Sequence, residues 1–275
     1  MVIGGRVVEG EKAGRTIGFP TANLKLNQKL KIKPGVYAAV CALSGQNYLG
    51  LAYYGKRYIF GDKVNSFEVY LLNFKQNIYG KKLTVRLTDF IRGPKRLTTL
   101  SAVKKALTND LKRLSDKKVI LVNRKDEIQG VGDLIKVHKN PPKLHRAVSV
   151  FIFNSKGELL VQQRSKLKPL WPMNWSNTSC TNVRPGETTL AAAGRCLLRE
   201  MGLKVKLKFK HKFIYQAKYS RNLSEYEVDS VFTGVTNAKP KLNPKEASAY
   251  KYLSRFEGLR FTPWFKPALS GIFKS

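Results

Sequence analysis

Cys180 closes the tryptophan-bearing stretch Trp175-Ser176-Asn177-Thr178-Ser179-Cys180, and the acidic residues Glu225 and Glu227 follow downstream. A thiol able to exchange a proton, set opposite a carboxylate across an apolar pocket, suits adding a proton to one face of a double bond and removing one from the other. These residue types point to an isomerisation. His138 and His145 flank Asn140-Pro141-Pro142, which rules out one continuous helix, so a loop must bring the two imidazoles together if they share a metal. An isolated histidine pair is more often structural than ligating. Glu225 and Glu227, at i and i+2 of a strand-like run, point to one face and add oxygens, giving an N₂O₂ donor set for Zn²⁺, Mn²⁺ or Mg²⁺.

A second chemistry-bearing stretch lies near the N-terminus, at Gly14-Arg15-Thr16-Ile17-Gly18-Phe19-Pro20-Thr21-Ala22-Asn23-Leu24. Its glycines let backbone amides approach a phosphate, while Thr21 and Asn23 offer oxygens to a hard cation such as Mg²⁺. The same residue types also build plain turns.

The elements that must position these groups fall into two parts. Residues 1–116 alternate β-rich runs (36–42, 48–54, 66–74, 82–89) with glycine turns, then give a helix over 100–114 with Leu100, Val103, Leu107, Leu111 and Leu114 on one face. An antiparallel barrel closed by a helix is expected. Residues 117–275 give strands at 119–122, 147–153 and 159–163, a helix over 190–201 that starts after Thr188-Thr189 and stops at Gly202, and further strands. That order predicts a mixed α/β fold.

At 275 residues the chain is long enough for two cores. No apolar run approaches the roughly 20 residues a membrane helix needs, and no secretory signal is visible, so a cytoplasmic monomer with no membrane partner is expected. Cys41, Cys180 and Cys196 make neither a CxxC pair nor an even framework, which excludes a disulfide scaffold and a cysteine-based zinc finger. The balance of 51 Lys and Arg against 18 Asp and Glu gives +33. Its scatter, often on alternate residues as in Lys204-Val205-Lys206-Leu207-Lys208, suits solvated strand faces better than a nucleic-acid module. A generally basic proteome or anionic phosphate substrates account for the excess equally well.

The string Gly18-Phe19-Pro20-Thr21-Ala22-Asn23 resembles the signature of riboflavin kinases, and Gly35-Val36-Tyr37-Ala38, Phe67-Glu68-Val69-Tyr70-Leu71-Leu72, Tyr79-Gly80-Lys81-Lys82-Leu83 and Asp110 follow in that family's order. The resemblance implies a β-barrel kinase that uses ATP and Mg²⁺ to convert riboflavin to FMN. Thr21 and Asn23 would hold Mg²⁺ and the phosphates, and Glu68 would take the proton of the ribityl hydroxyl. Tyr53 and Tyr58 depart from the family, which has an Asn and an Arg-Pro in that segment.

From Leu144-His145-Arg146 onward, the segments Leu159–Ser165, Trp171-Pro172, Trp175–Cys180, Glu225-Tyr226-Glu227-Val228 and Thr262-Pro263-Trp264-Phe265 resemble type 1 isopentenyl-diphosphate isomerases of the Nudix superfamily. The resemblance implies that Cys180 and Glu227 exchange protons with opposite faces of the C₅ unit of isopentenyl diphosphate. It further implies that Trp264 faces the carbocation and Tyr215 bonds near Glu227. Arg164 and Lys168 would hold the diphosphate, and Glu200 would bring Mg²⁺ to it. The α-helix reads Arg195-Cys196-Leu197-Leu198-Arg199-Glu200, lacking most of the carboxylates of a Nudix hydrolase. The isomerases carry Cys-Gly-His-Pro where this chain has Cys180-Thr181-Asn182-Val183, so Asn182 stands where a third metal histidine is expected. A diphosphate hydrolase or a degenerate Nudix fold is the competing reading.

Overall fold

The computed structural model describes residues 1–26 and 30–273. They form two compact units, the first comprising Met1–Ile120 with Glu127–Val131 and the second Leu121–Asp126 with Gly132–Ser275. No helix among the described residues is long and apolar enough to cross a membrane.

The first unit is built from β1 (Val2–Val8), the short α1 (Ala13–Thr16), β2 (Thr21–Lys25), β3 (Gly35–Leu43), β4 (Gln46–Gly55), β5 (Ser66–Leu71), β6 (Lys82–Arg92) and α2 (Leu100–Ser115). The six strands close into a barrel in the order β1-β2-β5-β4-β3-β6, every pairing antiparallel. Closure removes the exposed edges that an open sheet of this size would leave. Side chains alternate between faces: Phe67, Val69 and Leu71 of β5 turn into the core with Ala22 and Leu24 of β2, while Glu68, Thr21 and Asn23 lie on the outer side. Truncating a side chain as large and buried as Phe67 costs about 3–5 kcal/mol.

β1 and β2 lie beyond the four strands read from the sequence, because Gly4-Gly5 and Thr21-Ala22-Asn23 carry weak strand propensity and are held by pairing with neighbours. α2 begins where the periodicity places it, with Thr99 Oγ1 accepting from the amide of Ala102 at 3.2 Å. Its inward stripe holds Val103, Leu107 and Leu111, partly buried, with Ala106, Asp110 and Leu114 fully buried, and only Leu100 of the expected face is exposed. Asp110 joins this stripe because Arg92 of β6 clamps it at 2.8 and 2.7 Å, which compensates the buried carboxylate.

The chain continues through β7 (Lys118–Val122) and β8 (Ile128–Asp133), each divided between the two units, and the second unit then holds β9 (His145–Phe153), β10 (Leu159–Arg164), β11 (Trp175–Ser176), β12 (Ser179–Asn182), α3 (Thr189–Met201), β13 (Lys208–Lys218), β14 (Ser224–Val235), β15 (Ala247–Leu253) and α4 (Phe265–Ser270). Its sheet centres on β9 and β14, the one parallel pair among the recorded strand registers, in register from Glu227–His145 to Val235–Phe153. Both strands are buried almost throughout, as expected for sheet covered on two sides. β13 pairs with β14, β12 and β10 pair with β9, and β15 pairs with β10, all antiparallel. α3 starts with Thr188 accepting from Ala191 at 3.1 Å and ends at Gly202, whose φ of 67° suits a residue without a Cβ.

Candidate functional site

In the first unit, strand register gathers the candidate residues. Asn23 lies opposite Glu68 across the β2–β5 pair, and Tyr53 lies opposite Glu68 across β4–β5. Thr21 Oγ1 reaches Glu68 Oε2 at 3.5 Å. Gly10 packs so tightly on Asn23 that a Cβ there would fall 2.2 Å from Nδ2, so a larger residue would have to push the Asn23 amide aside. Thr21, Asn23 and Glu68 line one cleft together with Arg57, α1 and the Leu100 end of α2.

Arg57 was not singled out by sequence, yet it organises this cleft. Its Nη1 donates to Glu68 Oε1 at 3.0 Å, while Nε and Nη2 donate to Asp62 at 2.5 and 3.1 Å. Burial raises the Glu68 carboxyl above its ordinary range, and Arg57 works against that rise. Tyr53 donates to the carbonyl of Lys56 at 2.7 Å, and burial pushes its phenol up to about 12.

In the second unit the sheet brings one set of side chains to a single face. His145 of β9 is in register with Glu227 of β14, which is in register with Tyr215 of β13; Cys180 of β12 pairs with Ser149, and Asn182 with Ala147. Alternation then puts Cys180, Asn182, His145, Glu225, Glu227, Asp229 and Tyr215 on that same face.

The ligand atoms of His138, His145 and Glu227 lie within 4.8 Å of one another. Nδ1 of each histidine stands 2.7 Å from a backbone carbonyl, Leu134 for His138 and Lys143 for His145, so each Nδ1 carries a hydrogen and, in the neutral ring, each Nε2 presents a lone pair. His145 Nε2 is buried without a hydrogen-bond partner and sits 3.3 Å from Glu227 Oε1. A lone pair facing a carboxylate oxygen in a buried position is satisfied by a cation between them, so these residues fit a divalent metal. Burial and the neighbouring His145 lower the His138 pKa, which favours the neutral, ligating form.

Glu225 is not part of that three-residue cluster. Tyr215 Oη lies 2.7 Å from Glu225 Oε2 and 2.5 Å from Glu227 Oε2. Burial and the adjacent Glu227 push Glu225 up to about 8. Burial raises Glu227 too, but His145 in its protonated form and the Tyr215 hydroxyl outweigh it and hold this carboxylate below its ordinary value. Asp229, buried and bonded by Ser149 at 2.7 Å, is pushed up to about 8 by burial and by Glu227.

Cys180 is half-buried and free, and it packs with Tyr215 against an apolar cluster of Leu170, Trp171 and Trp264. Burial raises its thiol well above the ordinary range, against the pull of Arg164, whose Nη1 lies 3.9 Å from Sγ. Arg164 is committed on several sides: Nε and Nη2 donate to the carbonyls of Leu170 and Trp171, and the guanidinium sits 5.3 Å over the Trp264 ring. Trp264 is buried and donates Nε1–H to Asn177 at 3.0 Å. Lys168 pairs with Glu246 at 2.8 Å, and buried Glu200 accepts from Gln162 at 2.9 Å. Cys196 is wholly buried beside Ser179 and Ala193, as expected of a packing residue.

Three functional candidates escaped the sequence: Arg57, Arg199 and Glu246. Arg57 sits within the segment that departs from the kinase pattern, and Arg199 adjoins Glu200, so both were signalled locally. Glu246 has no local signal, because its partner Lys168 lies in a distant segment.

Residues 1–117 match the Flavokinase family model, described as riboflavin kinase, and residues 143–268 match the NUDIX domain. An isopentenyl-diphosphate Delta-isomerase of Pectobacterium atrosepticum is 40% identical over 162 residues, spanning 56% of this chain and 90% of the relative. An isopentenyl-diphosphate Delta-isomerase 1 of Photorhabdus laumondii is 37% identical over 167 residues, spanning 57% of this chain and 95% of the relative. With a thiol, a bridged carboxylate pair and a histidine cluster on one face of its sheet, the second unit carries this chain into the isopentenyl-diphosphate Delta-isomerase family of Nudix proteins, preceded in the sequence by a riboflavin kinase domain.

Proposed function

We propose that the chain is a bifunctional enzyme. Residues 1–116 phosphorylate riboflavin to FMN with ATP, and residues 117–275 interconvert isopentenyl and dimethylallyl diphosphate. The second activity rests on one observation: Cys180 and Tyr215, which bridges Glu225 and Glu227, pack against the same apolar wall of Leu170, Trp171 and Trp264. Such a wall excludes water from a carbocation while groups beside it add and remove protons. Each proton gained by the terminal methylene carbon is matched by one lost from the chain methylene on the other side of the tertiary carbon. Cys180 and Glu227 therefore alternate as acid and base between the two directions.

Tyr215 orients the carboxylate, and Trp264 offers a π face, with Arg164 already stacked there as a cation of similar demand. His138, His145 and Glu227 would hold Zn²⁺, Mn²⁺ or Mg²⁺, which supplies charge stabilisation at the carboxylate when bound. Asn182 is placed to add an amide oxygen on the same face, a weaker donor than imidazole for a borderline metal. Arg164 and Lys168 would receive the diphosphate, with Glu200 carrying its Mg²⁺. A working thiol at Cys180 requires a reducing compartment, in keeping with a cytoplasmic enzyme.

In the first unit Glu68 serves as base toward the riboflavin hydroxyl, Arg57 favours its ionised form against burial, and Thr21 and Asn23 position Mg²⁺ and the ATP phosphates. Purified protein is to be incubated with isopentenyl diphosphate and Mg²⁺ or Mn²⁺, and separately with riboflavin and Mg·ATP. Dimethylallyl diphosphate and FMN are expected, the former reduced about a thousandfold or more by Cys180→Ala. Phosphate release without dimethylallyl diphosphate would make the second unit a hydrolase.

A further inference from the structure

Three ion pairs converge beside the site in the second unit, outside the thiol and the histidine cluster. Lys168 Nζ lies 2.8 Å from Glu246 Oε2, and Arg199 Nε lies 3.3 Å from the other oxygen of the same carboxylate. Arg199 Nη2 in turn lies 3.3 Å from Glu200 Oε1. The network joins three distant elements: the segment after β10, the last turn of α3 and the start of β15.

Partly exposed ion pairs contribute only about 0–1 kcal/mol each, so stability is a weak reason for assembling four charges here. Their arrangement is better suited to a ligand. Glu246 faces two cations, Lys168 and Arg199, while Glu200 pairs with Arg199 alone, so the four formal charges balance until an anion or cation joins them. The Arg199 side chain is 37% exposed while its neighbour Glu200 is 1% exposed, so the guanidinium is the member solvent or substrate can reach. A guanidinium carries five donors in a planar fork, and Nη1 of Arg199 is outside both ion pairs. Arg164, by contrast, spends Nε and Nη2 on carbonyls and keeps only Nη1 for an anion.

We propose that Arg199 is a diphosphate-binding residue of this site and that Glu246 is its positioning residue, bracing Arg199 beside Lys168. The assignment rests on the isomerase reading for the identity of the substrate, but not for the existence of an anion site. Arg199 supplies the bidentate contact that phosphate oxygens favour, while Lys168 supplies a point charge. Glu246 holds the two heads together before substrate arrives, which lowers the ordering cost of binding.

The test uses the full chain, with magnesium pyrophosphate as a calorimetric probe and isopentenyl diphosphate as substrate. Arg199→Ala is expected to weaken pyrophosphate binding and raise KM about tenfold, or ~1.4 kcal/mol, with kcat little changed. Arg199→Lys is expected to fall between parent and Arg199→Ala. Glu246→Gln is expected to raise KM several-fold, whereas the exposed control Lys210→Ala leaves it unchanged. Arg199→Gln, which keeps a polar donor over Glu200, serves if the alanine variant unfolds. Pyrophosphate affinity and KM within twofold of the parent in the folded Arg199 variant would overturn the assignment, as would a parent that binds no pyrophosphate. Arg199-dependent pyrophosphate binding without dimethylallyl diphosphate would support the anion site while refuting the isomerase. Isomerisation indifferent to Arg199 would do the reverse.

Discussion

The Tyr215 hydroxyl lies 2.5 Å from Glu227 Oε2 while making a second short contact, 2.7 Å, to Glu225. One phenol has one hydrogen, so two ionised carboxylates cannot both be satisfied by it. A proton held by Glu225 resolves the geometry: its carboxyl donates to the tyrosine oxygen, and the tyrosine donates to Glu227. The rise of Glu225 to about 8 has the same cause, burial beside a second carboxylate.

Tyr215→Phe removes the bridge and leaves the histidines in place. Isomerase kcat is expected to fall between ~10- and ~100-fold, the usual effect of losing a group that orients a ligating or reacting side chain, with bound metal retained. Steady-state kinetics paired with metal analysis checks it; an unchanged kcat would separate Tyr215 from the reaction.

Asn182→His puts an imidazole on the face already occupied by His145 and Glu227. Metal affinity is expected to rise about tenfold or more, read by Zn²⁺ or Mn²⁺ titration against a competing chelator, with isomerase activity rising alongside. If neither moves, the metal lies elsewhere.

Arg57→Ala removes the cation that opposes burial at Glu68. The folded carboxyl pKa then climbs further, and because the base must be ionised to accept a proton, the acid limb of the FMN-formation profile is expected to shift to higher pH. A pH–rate profile that keeps its acid limb would leave Arg57 a purely structural residue.

Asp229 carries a folded pKa raised to about 8 from 3.8, and its Oδ1 is buried without a partner. Between these values the folded state holds a proton that the unfolded state releases, so unfolding becomes easier as pH rises through the window. Chelator-treated protein is expected to lose several degrees of Tm between about pH 5 and pH 8.5. Asp229→Asn cannot ionise and should flatten that fall; parallel curves for parent and variant would contradict it.

Much of both units was legible in the chain, because strand and helix periods are local properties. Alternation alone put Glu225 and Glu227 on one face, and the cap at Thr188 marked the start of α3. The motif order around Thr21, Asn23, Glu68, Cys180 and Trp264 was likewise readable. What the tertiary structure decided is which faces meet. The parallel register of β14 on β9 sets Glu227 against His145, and no local pattern specifies a pairing between segments so far apart. The same holds for Lys168 with Glu246, for Arg164 over Trp264, and for the buried pair of Arg92 with Asp110 of α2. Residue types and spacing determined the chemistry available; long-range packing and the pairing of buried charge determined which groups share a site.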